Sequence, residues 1–257
     1  MTAGGEFDRI ARIFRPLSFG RPEARDLLDD AAVLTPTPGM QIVVTQDAMA
    51  RGVHFPNDAS PMVVARRLLR SNYSDLAAMG ADPVGVFLSF APPAGAEEAW
   101  AAAFADALRA DLERYGGALL GGDSIGLKGA DSVFAIAALG EIPTGAAIGR
   151  AGGRAGDRLW VSGTIGDAAL GLLVERGELM DLEPDQREFL RDRYRAPEPR
   201  LALGRALRGV ATAMIDLSDG LVADIDKLSQ ASETRAEIAA PRIPLSTAAA
   251  AAIAIDL

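Results

Sequence analysis

The sequence predicts an α+β fold in two domains, residues 1–141 and 142–257. Three observations predict it. Apolar runs of strand length recur in the first half, at Gln41–Thr45, Val84–Phe90 and Ser132–Leu139, with helical stretches between them. Glycines 145, 149, 152, 153 and 156 then crowd the segment from Ile142 to Asp157, a composition change that marks an interdomain connection carrying a functional loop. Finally, 257 residues that are 49% hydrophobic suffice for one large core or two modest ones.

Taken in order, Phe7, Ile10 and Phe14 stand at helical spacing, and Arg15–Arg25, broken by Pro16, Gly20 and Pro22, reads as a loop. Ala31–Leu34 reads as a short strand, Pro36–Gly39 as a turn and Gln41–Thr45 as a second strand running into Asp47; this order predicts an antiparallel pair. Ser60-Pro61 supplies an N-cap and a first-turn proline for a helix over Pro61–Met79, which Gly80 ends. Strands are expected at Val84–Phe90, Ala118–Leu120 and Ser132–Leu139, with a long amphipathic helix over Ala96–Tyr115. In the second domain Leu159–Ser162 and Thr212–Ile215 read as strands. Gly166–Glu175, Gln186–Arg193, Arg200–Arg208 and Gly220–Gln230 read as helices, and the alanine-rich Ser246–Ile255 carries no functional signal.

Composition excludes several chemistries. The chain has no cysteine, so disulfides, thiolate nucleophiles and iron–sulfur clusters are excluded. His54 is the single histidine, which excludes multi-histidine metal sites. A net charge of −9 argues against wrapping nucleic acid. No apolar run reaches the ~20 residues of a membrane span, and no export signal is apparent at the N-terminus, so a cytoplasmic protein is expected. The acids comprise 22 Asp and 13 Glu, and an excess of the poorer helix former hints at carboxylates placed on loops and strand ends. Such hard oxygen donors suit Mg²⁺ or Ca²⁺.

Acidic clusters stand at Asp29-Asp30, Thr45-Gln46-Asp47, Gly122-Asp123 and Asp216-Leu217-Ser218-Asp219, the last three after predicted strands. Asp75 lies inside an apolar helix, where burial without a partner is costly. Each has an ordinary alternative: a turn or cap at Asp29-Asp30, a turn at Asp47 and at Asp123, a solvent-facing side chain at Asp75, a cap on the following helix at Asp219. A lone histidine such as His54 is more often structural or surface than functional. Gly121 and Gly126 have Walker spacing, but Leu127 stands where lysine is required, and no G-x-G-x-x-G follows a predicted strand. Phosphate binding therefore falls to metals, glycine-rich amides and an arginine such as Arg150 or Arg154.

Together these segments resemble the thiamine-monophosphate kinase family, within the superfamily of aminoimidazole ribonucleotide synthetase. The resemblance rests on Gly5-Glu6-Phe7, Asp29–Leu34, Asp47-Ala48 with Gly52–Phe55, Ser71–Ala81, Gly121–Ser124, Gly163–Ala169 and Ile215–Leu221, in order from about residue 4 to 245. It implies an α/β sandwich type of α+β protein. The N-terminal mixed-sheet domain, 1–141, would bind ATP and Mg²⁺ and form a barrel across a homodimer; the C-terminal α+β domain, 142–257, would be incomplete relative to the family, which continues with a Gly-Gly-Glu-Asp-Tyr segment. The implied reaction is ATP plus thiamine monophosphate giving ADP plus thiamine diphosphate, with several Mg²⁺ ions and a possible stimulation by K⁺. By position, Asp30, Thr45, Gln46, Asp47, Asp75, Asp123, Asp216 and Asp219 are the implied metal ligands, with Asp47, Asp75, Asp123 and Asp219 closest to the chemistry. Tyr115, Gly122, Asp123, Arg150 and Ser218 are implied ATP contacts and His54 a contact to thiamine phosphate. Leu28, Gln46 and Ser124 depart from the family's usual glycine, threonine and threonine.

The implied chemistry suits a histidine-poor chain. An acceptor phosphate is already ionised and needs no strong base. The obstacle is repulsion between two polyanions, about 4 kcal/mol per pair of unit charges at ~4 Å and an effective dielectric of 20. Divalent cations offset it, and no side chain offers itself as a covalent nucleophile, so direct in-line transfer is expected. Competing readings are another enzyme of the superfamily, though selenophosphate synthetase expects a cysteine absent here, and a non-catalytic nucleotide- or metal-binding regulator.

Overall fold

The computed structural model describes residues 6–256 apart from 97 and 130. Gly5, of the Gly5-Glu6-Phe7 segment, lies outside the described residues. The chain divides into two units: residues 1–147 with 199–206, and residues 148–198 with 207–257.

In the first unit a short helix α1 (Glu6–Arg9) continues as a π-turn over Ile10–Phe14 and a 3₁₀ turn over Arg15–Ser18; a further 3₁₀ segment covers Pro22–Leu27. The stretch Arg15–Arg25, expected as a loop, is thus partly wound into short turns. Four strands follow: β1 (Met40–Ala50), β2 (Asp82–Ala91), β3 (Leu119–Ser124) and β4 (Val133–Pro143), in sheet order β1-β4-β2-β3. The sheet is mixed, with β4 antiparallel to both β1 and β2 and β3 parallel to β2.

Helix α2 (Pro61–Met79) has the predicted limits. Ser60 Oγ accepts the Val63 N–H at 3.4 Å, and Gly80, at φ +76°, takes the left-handed turn that ends the helix. Its apolar stripe of Val64, Ala65, Leu68, Leu69 and Leu76 is fully buried against the sheet and against α3 (Glu98–Tyr115). Between them Phe90, Phe104 and Phe134 pack at ring distances of 5.2–5.5 Å, each side chain worth roughly 1.5–3 kcal/mol in buried apolar surface. A short helix α6 (Leu201–Ala206) belongs to the same unit and joins it through Arg205 Nε, which donates to Asp82 at 2.6 Å.

The expected strand over Ala31–Leu34 does not form. Its Val33 N–H bonds to Glu23 O, Ala32 and Leu34 pack on Ala118 and Leu120, and β1 takes β4, not this segment, as its antiparallel partner.

The second unit is built from helices α4 (Asp167–Glu175), α5 (Pro184–Arg195), α7 (Leu221–Ala231) and α8 (Thr247–Asp256). Val174, Leu182, Leu190, Ala248 and Ala252 form its core, so the alanine-rich tail serves packing. The expected strands at Leu159–Ser162 and Thr212–Ile215 are absent, and no strand occurs among the described residues of this unit, which corrects the α+β expectation for it. A strand needs a ladder partner. Trp160 instead is 87% exposed, and Met214 N–H makes a bond to Gly149 O without extending into a ladder. Among the described residues no helix is long and apolar enough to cross a membrane.

Candidate active site

Strand β1 carries Thr45, Gln46 and Asp47 in unbroken register against Ala138, Ala137 and Ile136. Side chains alternate along a strand, so Thr45 and Asp47 share a face with buried Met49, and Gln46 stands on the other face with exposed Val44. The first face carries α2. There Thr45 Oγ1 donates to Asp75 Oδ2 at 2.7 Å, which gives the half-buried Asp75 a partner and removes its reading as a solvent-facing residue. One turn earlier, fully buried Asn72 holds both elements: its amide donates to Leu68 O at 2.8 Å and its Oδ1 accepts the Asp47 N–H at 3.0 Å. Asp47 itself is left exposed. The side chain of Gln46 is directed away from this group, so only its main chain shares the position of Thr45 and Asp47.

Asp30 and Asp123 lie elsewhere in the same unit. Together with Asp29 they line a cavity of about 340 Å³, whose wall also includes Phe87, Gly122 and Ser124. Asp123 reaches it because β3 extends beyond the predicted Ala118–Leu120 to include Gly121–Ser124, paired with Phe87–Phe90. Gly122 is required by close approach, since a Cβ there would stand 2.0 Å from Leu88 O. Asp29 lies 3.6 Å from Arg25, a solvated pair.

Tyr115 ends α3, half-buried, with the guanidinium groups of Arg70 and Arg114 at 5.2 and 4.8 Å from its ring centre. Arg70 is itself held by a buried bidentate bond to Asp111, at 2.6 and 2.7 Å. Tyr73 O–H donates to Gly116 O at 2.8 Å, and burial followed by the charge of Asp111 pushes its phenol well above the usual range. His54 is exposed in the turn after β1; its Nδ1 accepts the Ala50 N–H at 3.1 Å, which leaves Nε2–H as a donor.

The remaining predicted residues lie in the second unit. Arg150 is exposed, and its carbonyl accepts from Ser232 Oγ at 2.8 Å. Asp216 is half-buried, whereas Ser218 and Asp219 are exposed in the loop before α7. Asp219 does not cap α7: the N-cap is Gly220, with no side-chain cap bond, and Asp219 pairs with Lys227. The loop is organised by Asp224, a residue the sequence reading did not single out. Asp224 is 1% exposed and its Oδ2 accepts the N–H groups of Ser218, Asp219 and Gly220 at 2.9, 3.0 and 3.1 Å. Burial alone would raise its carboxyl, but the Lys227 ammonium at 2.8 Å and the three amides outweigh it and hold the group below the usual carboxylate range. Asp219 and Asp224 in turn raise Lys227. The available signal was an acid in the first turn of a helix with a lysine three residues on.

The expected donors are oxygens, from carboxylates, one hydroxyl and the amide residue Gln46, with no sulfur and no imidazole beyond His54, which fits Mg²⁺ in kind. Thr45 with Asp75, and Asp30 with Asp123, are brought together within the first unit. Among the described residues no three His, Asp or Glu side chains form a ready cluster for an ion.

Residues 28–142 match the family model described as AIR synthase related protein, N-terminal domain. A thiamine-monophosphate kinase of Caulobacter vibrioides is 49% identical over 246 residues, which cover 96% of this chain and 68% of that protein. The chain belongs to the thiamine-monophosphate kinase family. Among solved structures, the thiamine-monophosphate kinase of Stenotrophomonas maltophilia is similar at a TM-score of 0.84 and 38% identity, over 95% of this chain and 77% of that one. The complex of AaThiL with AMPPCP and TMP is similar at a TM-score of 0.79 and 29% identity, over 88% of this chain and 71% of that one. Of the three positions expected to depart from the family's usual residues, Leu28 is 69% exposed, Gln46 stands on the opposite strand face from Thr45 and Asp47, and Ser124 lines the cavity beside Asp123.

Proposed function

We propose that this chain phosphorylates thiamine monophosphate with ATP, giving thiamine diphosphate and ADP by direct in-line transfer. The observation that carries the reading is family membership at 49% identity over nearly the whole chain. Structural likeness to a kinase complexed with AMPPCP and TMP supports it. Tyr115, Gly122, Asp123, Arg150 and Ser218 take ATP, and the Nε2–H of His54 donates to the acceptor phosphate. Asp30, Thr45, the main chain at Gln46, Asp47, Asp75, Asp123, Asp216 and Asp219 would hold several Mg²⁺ ions, of which Asp47, Asp75, Asp123 and Asp219 sit closest to the chemistry. Bound there, Mg²⁺ would offset the repulsion between the triphosphate of ATP and the acceptor phosphate.

The remaining chemistry follows from the acceptor. An oxygen of thiamine phosphate, ionised at neutral pH, attacks the γ-phosphorus as the bond to the ADP oxygen breaks. No proton has to be removed first, which accounts for a site without a histidine base. Residues 1–141 would form the ATP- and Mg²⁺-binding domain and 142–257 the C-terminal domain. The sheet face opposite α2, with Val44 at 62% and Val133 at 43% exposure, is the surface for a barrel across a homodimer. The protein would work in the cytoplasm, with K⁺ as a stimulating ion.

The test is product analysis. Chain incubated with ATP, Mg²⁺ and thiamine monophosphate should yield thiamine diphosphate and ADP in equal amounts by ion-pair chromatography. ADP without thiamine diphosphate, or no ADP at all, would refute the assignment.

A further inference from the structure

Residues 216–220 are irregular in conformation, and the Asp219 side chain is 65% exposed. A loop of this kind is mobile unless tied down. Here one oxygen, Oδ2 of the buried Asp224, accepts three successive main-chain N–H groups, those of Ser218, Asp219 and Gly220. The Asp224 N–H already bonds Gly220 O at 2.9 Å, so the carboxylate projects from an established helical turn. Lys227 Nζ donates to the other oxygen at 2.8 Å, one turn further along α7, and to Asp219. The far end of α7 holds a second segment. Ser232 Oγ donates to Arg150 O at 2.8 Å and accepts the Gly153 N–H at 3.1 Å.

We infer that Asp224 is a positioning residue: by gathering the amides of Ser218, Asp219 and Gly220 it fixes the loop whose side chains receive ATP and its metal. Asp224 is itself buried at 1% exposure, so its action is through the loop it holds. A charged acceptor shared by three amides defines the loop backbone more strictly than solvent could, and the directions of the Ser218 and Asp219 side chains follow from it. The inference rests on the kinase reading for what the loop receives, and on the geometry alone for what holds it.

The test combines hydrogen exchange with binding and kinetics on the full chain. In Asp224→Ala the amides of Ser218, Asp219 and Gly220 should lose about tenfold in protection, while the central amides of α7 keep theirs. The KM for ATP and the Kd of Mg²⁺–AMPPCP should rise by about tenfold, with the KM for thiamine monophosphate unchanged. Asp224→Asn retains one acceptor oxygen and should fall between wild type and alanine; it carries the test if the alanine variant does not fold. Unchanged protection at the three amides would overturn the inference. So would lost protection, in either variant, with unchanged ATP KM and AMPPCP affinity. A wild-type chain that makes no thiamine diphosphate overturns the kinase reading instead, and the exchange and AMPPCP titrations still decide the role of Asp224.

Discussion

Asp111→Ala gives the sharpest test of how the fold supports Tyr115, proposed to take ATP. Asp111 and Arg70 are 4% and 7% exposed at the side chain and are joined by two short bonds, at 2.6 and 2.7 Å. Removing the carboxylate strips Arg70 of both and leaves its guanidinium in a buried position, a change that costs about 3–5 kcal/mol. Each kcal/mol moves the midpoint of a unit this size by about 2–4 °C, so the melting temperature of the first unit should fall by roughly 6–20 °C. The double replacement Arg70→Met with Asp111→Leu, which removes both charges, should recover most of the loss. Because Arg70 lies 5.2 Å from the Tyr115 ring, the single variant should also weaken ATP binding at temperatures where it stays folded. The assay is differential scanning calorimetry beside ATP titration. A melting temperature within about 2 °C of wild type would show instead that the pair is solvated and contributes no more than a surface bridge.

Other substitutions bear on separate parts of the site. Asp47→Asn should lower turnover by about a hundredfold or more with little change in melting temperature, since a neutral amide is a poor Mg²⁺ ligand and the side chain is exposed; an unchanged rate would remove Asp47 from the mechanism. Gly122→Ala places a Cβ 2.0 Å from Leu88 O and should cost about 1–3 kcal/mol or more, measured by urea unfolding, as β2 and β3 part next to Asp123. The second unit should show a stability plateau with two limbs. Asp224 is held below its ordinary value of 3.8, so its contribution is full above that pH and is lost as pH falls further. Lys227 is raised above 10.5, so its contribution is full below that pH and is lost as pH rises through the folded value. Thermal scans across pH should show the acid limb flatten in Asp224→Asn and the alkaline limb flatten in Lys227→Met.

Where local chemistry decided a segment, the sequence read correctly. Ser60-Pro61 and Gly80 bounded α2, and the Gln41–Thr45 run announced β1, because caps and apolar periodicity act over a few residues. The expected strands at Ala31–Leu34, Leu159–Ser162 and Thr212–Ile215 failed for a shared reason: strand propensity says nothing of whether a partner edge is present. The candidate site divides the same way. A strand end and a glycine pair pointed to Asp47 and Asp123, and an acid inside an apolar helix to Asp75, but the bond from Thr45 to Asp75 spans 30 positions and is visible only in the fold. Asp224 escaped because a first-turn acid in a helix ordinarily answers to the helix dipole alone, and its three amide donors come from a loop with no signature of its own.

In the proposed mechanism aspartate carboxylates hold divalent ions beside nucleotide, and binding of Mn²⁺ in place of Mg²⁺ reads this directly. Electron paramagnetic resonance titration of the chain with Mn²⁺ and AMPPCP should reveal more than one bound ion per chain, with fewer in Asp47→Asn and in Asp123→Asn. Equal Mn²⁺ binding by wild type and both variants, or none by wild type, would contradict it.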